Sequence, residues 1–438
     1  NDYSFSDLLI QLVKEGKVPM SRINEAVRRI LRVKFELGLF ENSMPDAALK
    51  SRLGTNESRE VALTAARESM TLLKNEKGVL PLDKNRKVLV TGPTAHSLIA
   101  LNNGWTYVWQ GSEPSLYPKD RPTILQAIEA KAGRNVAYAP GTRFTRPPNT
   151  PAGSTPTSVE EEVDIAAAVR AARDVDVVVL CLGEGSYTET PGNITDLTLG
   201  EPQLKLAEAI QATGKPVVIV LLEGRPRIIS RIADGAQAIL MAYNPGNEGG
   251  TAIADVLFGD YNPGGKLPFT YPRTPNSLLT YDHKLFEVEE TSFGNTAFKP
   301  QFEFGQGLSY TTYAYSKLRL SQKQVPMNGQ VNVQVTVTNT GTRAGKETVI
   351  LYVRDVAATL TPPGKRVRRF AKIHLEPVES RTLTFTLTRD DLSFIGADNK
   401  PTIEPGDFDV MVGGLTERFT LQAGQAQTPG RRSRRTPR

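Results

Sequence analysis

The sequence predicts a multidomain chain, in which a doubly wound α/β domain with a mostly parallel sheet is followed by a β-sandwich. Strand and helix patterns alternate through the middle of the 438-residue chain. The last strands of that series are apolar at nearly every position, as in parallel strands covered by helices on both faces. From about residue 310 the pattern changes to short segments with period-two apolar spacing. The length allows two or three domains, each with its own core.

Two amphipathic helices are predicted at the amino end. NDYSFSDLLIQLVKEGKVP enters a helix near Ser4, and a second helix is predicted to begin with Ser21 as its cap. Both helices have apolar faces that need something to pack against, and we expect a further partner upstream of residue 1. Residues 1–58 are assigned to these helices and a linker.

An α/β domain is predicted over residues 59–275. Strand patterns occur in RKVLVTGP, NVAYAPG, VDVVVLCLGE, KPVVIVLLEGRP and AQAILMAYNPG, with helical patterns between most of them. Residues 159–174, VEEEVDIAAAVRAARD, are expected to form one helix with an acidic first turn. Ligands of such sheets bind outside the carboxyl ends of the strands. Unusual polar segments follow the strands at these ends, including GEGSYTETPGN, EGRPR and NPGNEGG.

The carboxyl-terminal third has a different character. Residues 276–309 show little periodicity and are expected to be a packed connector. Residues 310–422 contain short alternating strands such as VNVQVTVTN and DFDVMVGG, which predict a β-sandwich of the fibronectin type III kind. Residues 423–438 have almost no apolar content and are expected to be disordered.

Composition and motifs exclude several classes of function. Five arginines in RRSRRTPR supply five of the six net positive charges, so the basicity belongs to the tail and nucleic-acid binding is not expected. No apolar run is long enough for a membrane span. The fingerprints of dinucleotide, P-loop and serine-hydrolase sites are missing, and no cofactor is expected. The three histidines lack metal-binding spacing, and Cys181 is expected to be a buried apolar residue.

Carboxylates beside aromatic residues remain as candidate chemistry. The acidic loop, residues 183–193, contains Glu184 and Glu189, and the aromatic segment, residues 102–111, contains both tryptophans of the chain, Trp105 and Trp109. The tryptophans suit a flat platform for a sugar ring, although filling gaps under the sheet edge is an alternative. The residues alone therefore indicate a site for a carbohydrate or another polar ligand.

The motifs also resemble a known family. NNGWTYVWQG, GEGSYTETPGNITDLTL, GKPVVIVLLEGRP, NPGNEGG and ADVLFGDYNPGGKLPFTYP, with ARESMTLLKNEKGVLPL and FEFGQGLSYTTYAYS, look like glycoside hydrolase family 3, the β-glucosidases and β-xylosidases. The likeness runs in order from residue 1 to about residue 422. It implies that the first helices end a TIM-like barrel that is itself missing from this sequence.

The resemblance implies a retaining exo-acting β-glycosidase that removes terminal β-D-glucosyl or xylosyl residues from oligosaccharides or aryl glycosides. Its nucleophile is an aspartate on the barrel, so the barrel is required in cis or in trans. Its acid/base is a glutamate of the α/β domain, which we match to Glu184. A partly apolar setting is expected to keep this glutamate protonated.

The remaining site residues follow from the same match. Trp105 and Trp109 are expected to bind the sugar, with Tyr187 and Arg225 beside them. Glu189 is also a substrate-binding candidate, although a solvated loop position or a supporting hydrogen bond is the preferred alternative. Arg225 is expected to pair with the neighbouring Glu223 and thereby fix its loop. Family habit implies a periplasmic or secreted protein. A carbohydrate-binding or scaffolding protein without catalysis is the competing interpretation, and a Rossmann-type enzyme is a weaker one.

Overall fold

The computed structural model describes residues 4–145, 159–275, 277, 280–284 and 299–423. The predicted disordered tail lies outside the described residues from residue 424 onward, as does much of the predicted connector. Contacts divide the chain into two compact units, Asn1–Glu60 and Val61–Arg438. Among the described residues, no helix combines the length and apolar character that crossing a lipid bilayer requires.

The first unit contains helices α1 (Ser4–Lys14) and α2 (Met20–Glu36), a short 3-10 helix (Ala47–Arg52) and the start of α3 (Asn56–Ser69). The predicted cap of the second helix is wrong. Pro19 occupies the N-cap position with an extended backbone, which starts the helix at Met20 and leaves Ser21 within the first turn. Neither α1 nor α2 buries a residue against the described chain, although both have apolar faces.

The second unit begins with a six-stranded sheet in the order β1-β8-β7-β6-β2-β3. Its strands are β1 (Thr71–Asn75), β2 (Val88–Thr91), β3 (Val136–Tyr138), β6 (Val177–Gly183), β7 (Val217–Leu222) and β8 (Ala238–Met241). Only β1 runs antiparallel to its neighbour, whereas the other adjacent pairs are parallel. The helices of this domain are α4 (Leu98–Asn102), α5 (Ile124–Ala132), α6 (Ile165–Arg173), α7 (Glu201–Gln211), α8 (Ser230–Ala233) and α9 (Gly249–Leu257).

The apolar side chains of β6 pack into two hydrophobic cores, one on each face of the sheet. Val177, Val179 and Cys181 belong to one buried cluster, whereas alternate residues such as Val178 and Leu180 belong to the cluster on the opposite face. Side chains of a strand alternate between the two faces of the sheet, so a strand covered on both faces must be apolar throughout. This arrangement confirms the predicted doubly wound α/β domain and the buried cysteine.

The helix predicted over residues 159–174 is only partly correct. Its first residues form strand β5 (Val159–Glu162), which pairs antiparallel with β4 (Thr142–Thr145) in a separate two-stranded sheet. The helix α6 starts later, where the Asp164 side chain caps it by accepting from the Ala167 N–H at 2.7 Å. Pairing with a distant strand therefore overrides the local helical pattern of the acidic residues.

A β-sandwich follows, as predicted. Its five-stranded sheet has the order β10-β18-β17-β12-β13 and its three-stranded sheet the order β14-β11-β9. Val331, Val333, Val335 and Val337 of β11 are all fully buried, in agreement with their period-two spacing. The elements are β9 (Tyr313–Leu320), β10 (Gln324–Val325), β11 (Val331–Asn339), β12 (Gly345–Asp355), β13 (Arg366–Leu375), β14 (Ser380–Leu387), α10 (Arg389–Leu392), β15 (Phe394–Ile395), β16 (Pro401–Thr402), β17 (Gly406–Val412) and β18 (Leu415–Leu421).

Candidate functional site

The polar segments singled out in the sequence meet at one edge of the α/β sheet. The acidic loop starts at the carboxyl end of β6, and residues 223–227 follow its parallel neighbour β7. The aromatic segment comes after β2, which pairs with β6 on the other side. Because parallel strands end at the same edge, these segments lie next to one another.

Glu184 lies at the base of this edge and is almost completely buried, with 6% of its surface exposed. Its Oε1 accepts from the Arg225 Nε at 3.0 Å and from the Arg227 Nη1 at 3.0 Å. Its Oε2 accepts from the Tyr187 hydroxyl at 2.9 Å and from the Gly224 and Arg225 backbone N–H groups at 3.2 Å each. Both carboxylate oxygens are therefore occupied by donors from the protein, and two of the partners are cationic.

The two arginines extend this contact along the acidic loop. Arg225 donates from Nη1 to the Gly192 carbonyl at 2.5 Å, and its guanidinium stacks 3.8 Å from the centroid of the Tyr187 ring. Arg227 donates from Nε to the Leu197 carbonyl at 3.0 Å. Glu184 and its arginines thus tie the start of the loop to its end, an arrangement that immobilises the loop.

This geometry fits a structural anchor better than a proton donor. The sequence predicts an apolar setting for Glu184, but the side chain lies between two guanidinium groups. Arg225 was expected to pair with Glu223 and to contact ligand, yet its ion pair is with Glu184, at 2.8 Å. The contacts of Arg225 and Tyr187 described above hold the loop, and their predicted roles in substrate binding stay predictions.

Glu189 has the opposite setting at the tip of the acidic loop. Its side chain is exposed, and it makes no hydrogen bond or ion pair with the described part of the chain. Its backbone has φ 51° and ψ −150°, a region that residues other than glycine rarely enter. Such strain costs on the order of 1–3 kcal/mol and persists only where the surroundings impose it, which is common at functional sites.

Two further carboxyl groups lie close to the base. Glu223 is buried, which raises its pKa to about 8, and it accepts from the Tyr271 hydroxyl and the Arg227 N–H at 3.0 Å each. Glu160, from β5, lines a cavity of about 170 Å³ beside Glu184, and burial raises its pKa as well. One oxygen of Glu160 and one of Glu223 are buried without a hydrogen-bond partner among the described residues.

The tryptophans do not fill gaps in the described core. Trp105 is 68% exposed and Trp109 is 41% exposed, and Tyr107 between them is also exposed. Trp105 and Tyr107 have positive φ values of 59° and 61°. The exposure is compatible with the predicted sugar platform, and stacking on a sugar stays a prediction.

Sequence reasoning missed several residues of this edge. Arg227 could have been found from its position two residues after Arg225 in EGRPR, where both side chains can reach the same carboxylate. Tyr107 lies between the two tryptophans and accepts a hydrogen bond from the Asn247 amide at 3.0 Å. Nothing in the sequence indicates that Gln110 pairs with the backbone of Thr188, because that contact depends on the meeting of two distant loops.

Comparison with known proteins agrees with this architecture. Residues 70–310 match the glycosyl hydrolase family 3 C-terminal domain, and residues 347–416 match the fibronectin type III-like domain. The chain is 41% identical to a lysosomal β-glucosidase of Dictyostelium discoideum over 94% of this chain and 50% of that protein. It is 35% identical to a periplasmic β-glucosidase of Salmonella typhimurium over 94% of this chain and 56% of that protein.

Solved structures show the same likeness. A β-glucosidase from Listeria innocua in complex with glucose superposes with a TM-score of 0.82 at 30% identity, over 95% of this chain and 57% of that one. A mutant of that enzyme, solved in complex with laminaribiose, gives the same values. The chain thus spans little more than half the length of these proteins. Because the family model covers more than half of the chain and the fold agrees throughout, the chain belongs to glycoside hydrolase family 3.

Proposed function

We propose that this chain is the carboxyl-terminal part of a retaining, exo-acting β-glycosidase that hydrolyses terminal β-D-glucosyl or xylosyl residues. In this proposal it supplies the proton donor and part of the sugar-binding cleft. The nucleophilic aspartate comes from a barrel outside this sequence, in cis or in trans. Retention needs the two carboxyl groups about 5–5.5 Å apart, so the donor must be able to face a second domain.

The exposed position of Glu189 carries the proposal. A donor must reach the oxygen of the leaving group, which requires a carboxyl group at the surface of this domain rather than beneath it. Glu189 is exposed on a loop that is anchored at both ends, and the tryptophans of the neighbouring aromatic segment are exposed as well.

We therefore propose Glu189 as the acid/base, in place of the sequence-based assignment to Glu184. To donate a proton, Glu184 would have to give up two arginine contacts and leave both guanidinium groups unpaired at a mostly buried site, which is costly. Its proposed role is to hold the loop that carries Glu189.

The proposed substrates are β-linked gluco- or xylo-oligosaccharides and aryl β-glycosides, with Trp105 and Trp109 contacting the leaving group. The naming of relatives as β-glucosidases and β-xylosidases supports this class of substrate. A periplasmic or secreted location is proposed with it, since the Salmonella relative is periplasmic. We expect the isolated chain to hydrolyse aryl glucosides no faster than background, because a donor without a nucleophile cannot form the glycosyl-enzyme intermediate.

The test compares Glu189→Ala with Glu184→Ala in the full-length protein that contains this chain. For Glu189→Ala, we expect kcat/KM on phenyl β-glucoside to fall by roughly 10²–10⁴-fold, because the poor leaving group needs protonation. The kcat/KM on 2,4-dinitrophenyl β-glucoside should be nearly unchanged, since this leaving group departs unaided. Azide should raise kcat on the second substrate and give a β-glycosyl azide, because azide needs no base. If Glu184→Ala shows this behaviour instead, Glu184 is the acid/base.

A carbohydrate-binding or scaffolding role without catalysis is the competing function, and the exposed tryptophans favour it as a second candidate. The chain contains only these two tryptophans, so their fluorescence reports directly on the aromatic segment. Titration of the chain with cellobiose, combined with an activity assay of the full-length protein, separates the two functions. Binding by the chain together with an inactive full-length protein would favour the scaffold.

A further inference from the structure

A buried glutamine joins the aromatic segment to the acidic loop. Gln110 has no exposed surface, and its Nε2 donates to the Thr188 carbonyl at 3.1 Å. Its Oε1 accepts from the Thr188 backbone N–H at 3.0 Å. The side-chain amide therefore satisfies both backbone polar groups of the residue that directly precedes Glu189. This reciprocal pair restricts the position and the orientation of that peptide backbone.

The two segments also contact each other at Asn103 and Gly104. The Asn103 Oδ1 accepts from the Tyr187 N–H at 2.8 Å. A Cβ atom on Gly104 would lie 2.3 Å from the Tyr187 carbonyl oxygen, a distance that excludes any side chain. Gly104 immediately precedes Trp105, so this close contact fixes the backbone next to Trp105 relative to the acidic loop.

Residues with a strained backbone occur in both the acidic loop and the aromatic segment, close to where the two meet. Glu189 has positive φ, as do Asn103, Trp105 and Tyr107 in the aromatic segment. Strained residues other than glycine keep such conformations only where surrounding contacts impose them. On one side of Glu189 that contact is the Gln110–Thr188 pair, and on the other side it is the bond from Arg225 to the Gly192 carbonyl.

We propose that Gln110 is a positioning residue, which sets the carboxyl group of Glu189 relative to Trp105 and Trp109. Gln110 is buried and does not contact the substrate; it acts through Thr188. The inference rests on the proposed function, because it needs Glu189 to be the proton donor. It further requires that the two tryptophans and Glu189 be held as one rigid element. Binding of the leaving group and its protonation would then both depend on the Gln110 side-chain amide.

The first experiment uses Gln110→Ala in the full-length protein. We expect kcat/KM on phenyl β-glucoside to fall on the order of 100-fold, as for other small displacements of a catalytic group. On 2,4-dinitrophenyl β-glucoside the fall should be no more than about threefold, because that leaving group needs no proton. Asn75→Ala is the matched control, since Asn75 makes the same reciprocal pair with the Leu80 backbone, at 2.9 and 3.0 Å.

Asn75 lies at the opposite edge of the sheet, where it pairs in register with Ala238 at the start of β8. Its removal should lower stability without making the loss of activity depend on the leaving group. Equal losses on both substrates for Gln110→Ala, in step with those of Asn75→Ala, would overturn the inference and leave Gln110 as a packing residue.

Gln110→Glu provides a second test, whose pH dependence a simple loss of stability would not produce. A protonated carboxyl group can accept from the Thr188 N–H and donate to its carbonyl, as the amide does, whereas a carboxylate can only accept. We expect the activity of this variant on phenyl β-glucoside, relative to the unmodified protein, to rise as the pH is lowered through the pKa of the introduced group. A constant ratio across pH would contradict the positioning role.

The outcomes for the two proposals are distinguishable. If Glu189→Ala shows no dependence on the leaving group, the proposed donor is wrong whatever Gln110 does. If Glu189→Ala behaves as a donor variant and the Gln110 variants do not discriminate between leaving groups, only the positioning inference fails.

Discussion

The base and the rim of the sheet edge contain the same kinds of residue in opposite settings. The base consists of Glu184, Glu223, Arg225 and Arg227, which are buried or partly buried and bonded to one another or to the backbone. The rim consists of Glu189, Trp105 and Trp109, which are exposed. A carboxylate at the base holds the loop, whereas a carboxylate at the rim is free to meet a substrate.

The comparison shows how the position of a carboxyl group relative to a strand determines which groups surround it. Glu184 directly follows β6 and is therefore held firmly, whereas Glu189 lies five residues farther along the loop. This position places the Glu184 carboxylate next to the loop that follows β7. Donors from that loop bind both of its oxygens. Rigidity at Glu189 comes instead from the contacts of its neighbours, which leave its own side chain available.

The largest effect on stability is expected at the base. Glu184→Gln removes the charge that two arginines share, and their side chains are only 25% and 15% exposed. Leaving these cations without a carboxylate should lower the free energy of unfolding by about 3 kcal/mol, measured with this chain in urea. In the full-length protein, the ratio of kcat/KM between phenyl and dinitrophenyl glucosides should fall less than in Glu189→Ala, because the loop is loosened but the proposed donor is still present.

Glu162→Gln is the control for this change. Glu162 pairs with Lys205 at 2.8 Å, but the two side chains are 46% and 54% exposed. Its loss should cost less than about 1 kcal/mol. If Glu184→Gln lowered the free energy of unfolding no more than this control and slowed the phenyl glucoside as selectively as Glu189→Ala, the roles assigned to Glu184 and Glu189 would be exchanged.

Much of the architecture could be predicted because it depends on patterns within a segment. The alternation of strand and helix predicted the sheet, and the continuous apolar run of β6 predicted that both of its faces are covered. Since parallel strands end together, the sequence could also predict that the acidic loop and EGRPR meet.

What could not be predicted depends on partners that are distant in sequence. Val159–Glu162 forms a strand because Thr142–Thr145 lies beside it, although the segment itself reads as helical. In the same way, Arg225 and Arg227 select Glu184 rather than Glu189 across about 40 residues of chain. The motif could indicate that a carboxylate mattered, but the choice between the two is a property of the assembled edge.

At the rim, Trp105→Ala should change binding and leave stability nearly unchanged. The ring is 68% exposed, so its removal should alter the free energy of unfolding by less than about 0.5 kcal/mol. In the full-length protein, kcat/KM on gluco-oligosaccharides should fall by the equivalent of about 1–3 kcal/mol, because stacking with the leaving sugar is lost. Aryl glucosides with small leaving groups should be affected less. Equal effects on both substrates, with a lowered melting temperature, would instead identify Trp105 as a packing residue.

The last expected effect is on the pH dependence of stability and concerns Glu223, the second carboxyl group of the base. Burial raises the pKa of Glu223 to about 8 from its ordinary value of 4.5, and the neighbouring Glu184 acts in the same direction. Between these two pH values the folded protein keeps a proton that the unfolded chain has released. Stability contributed by this group is therefore fully present below about pH 4.5 and declines as the pH rises toward 8, by at most about 1.4 kcal/mol per pH unit.

Glu223→Gln removes this titration and retains an oxygen that can accept from the Tyr271 hydroxyl and the Arg227 N–H. Near pH 5 both proteins present a neutral group at this position, so their free energies of unfolding should be similar. As the pH is raised from 5 to 8 in urea denaturation of this chain, the variant should become progressively more stable than the unmodified protein. Parallel pH profiles would mean that Glu223 is already ionised at pH 5 and that burial does not raise its pKa as expected.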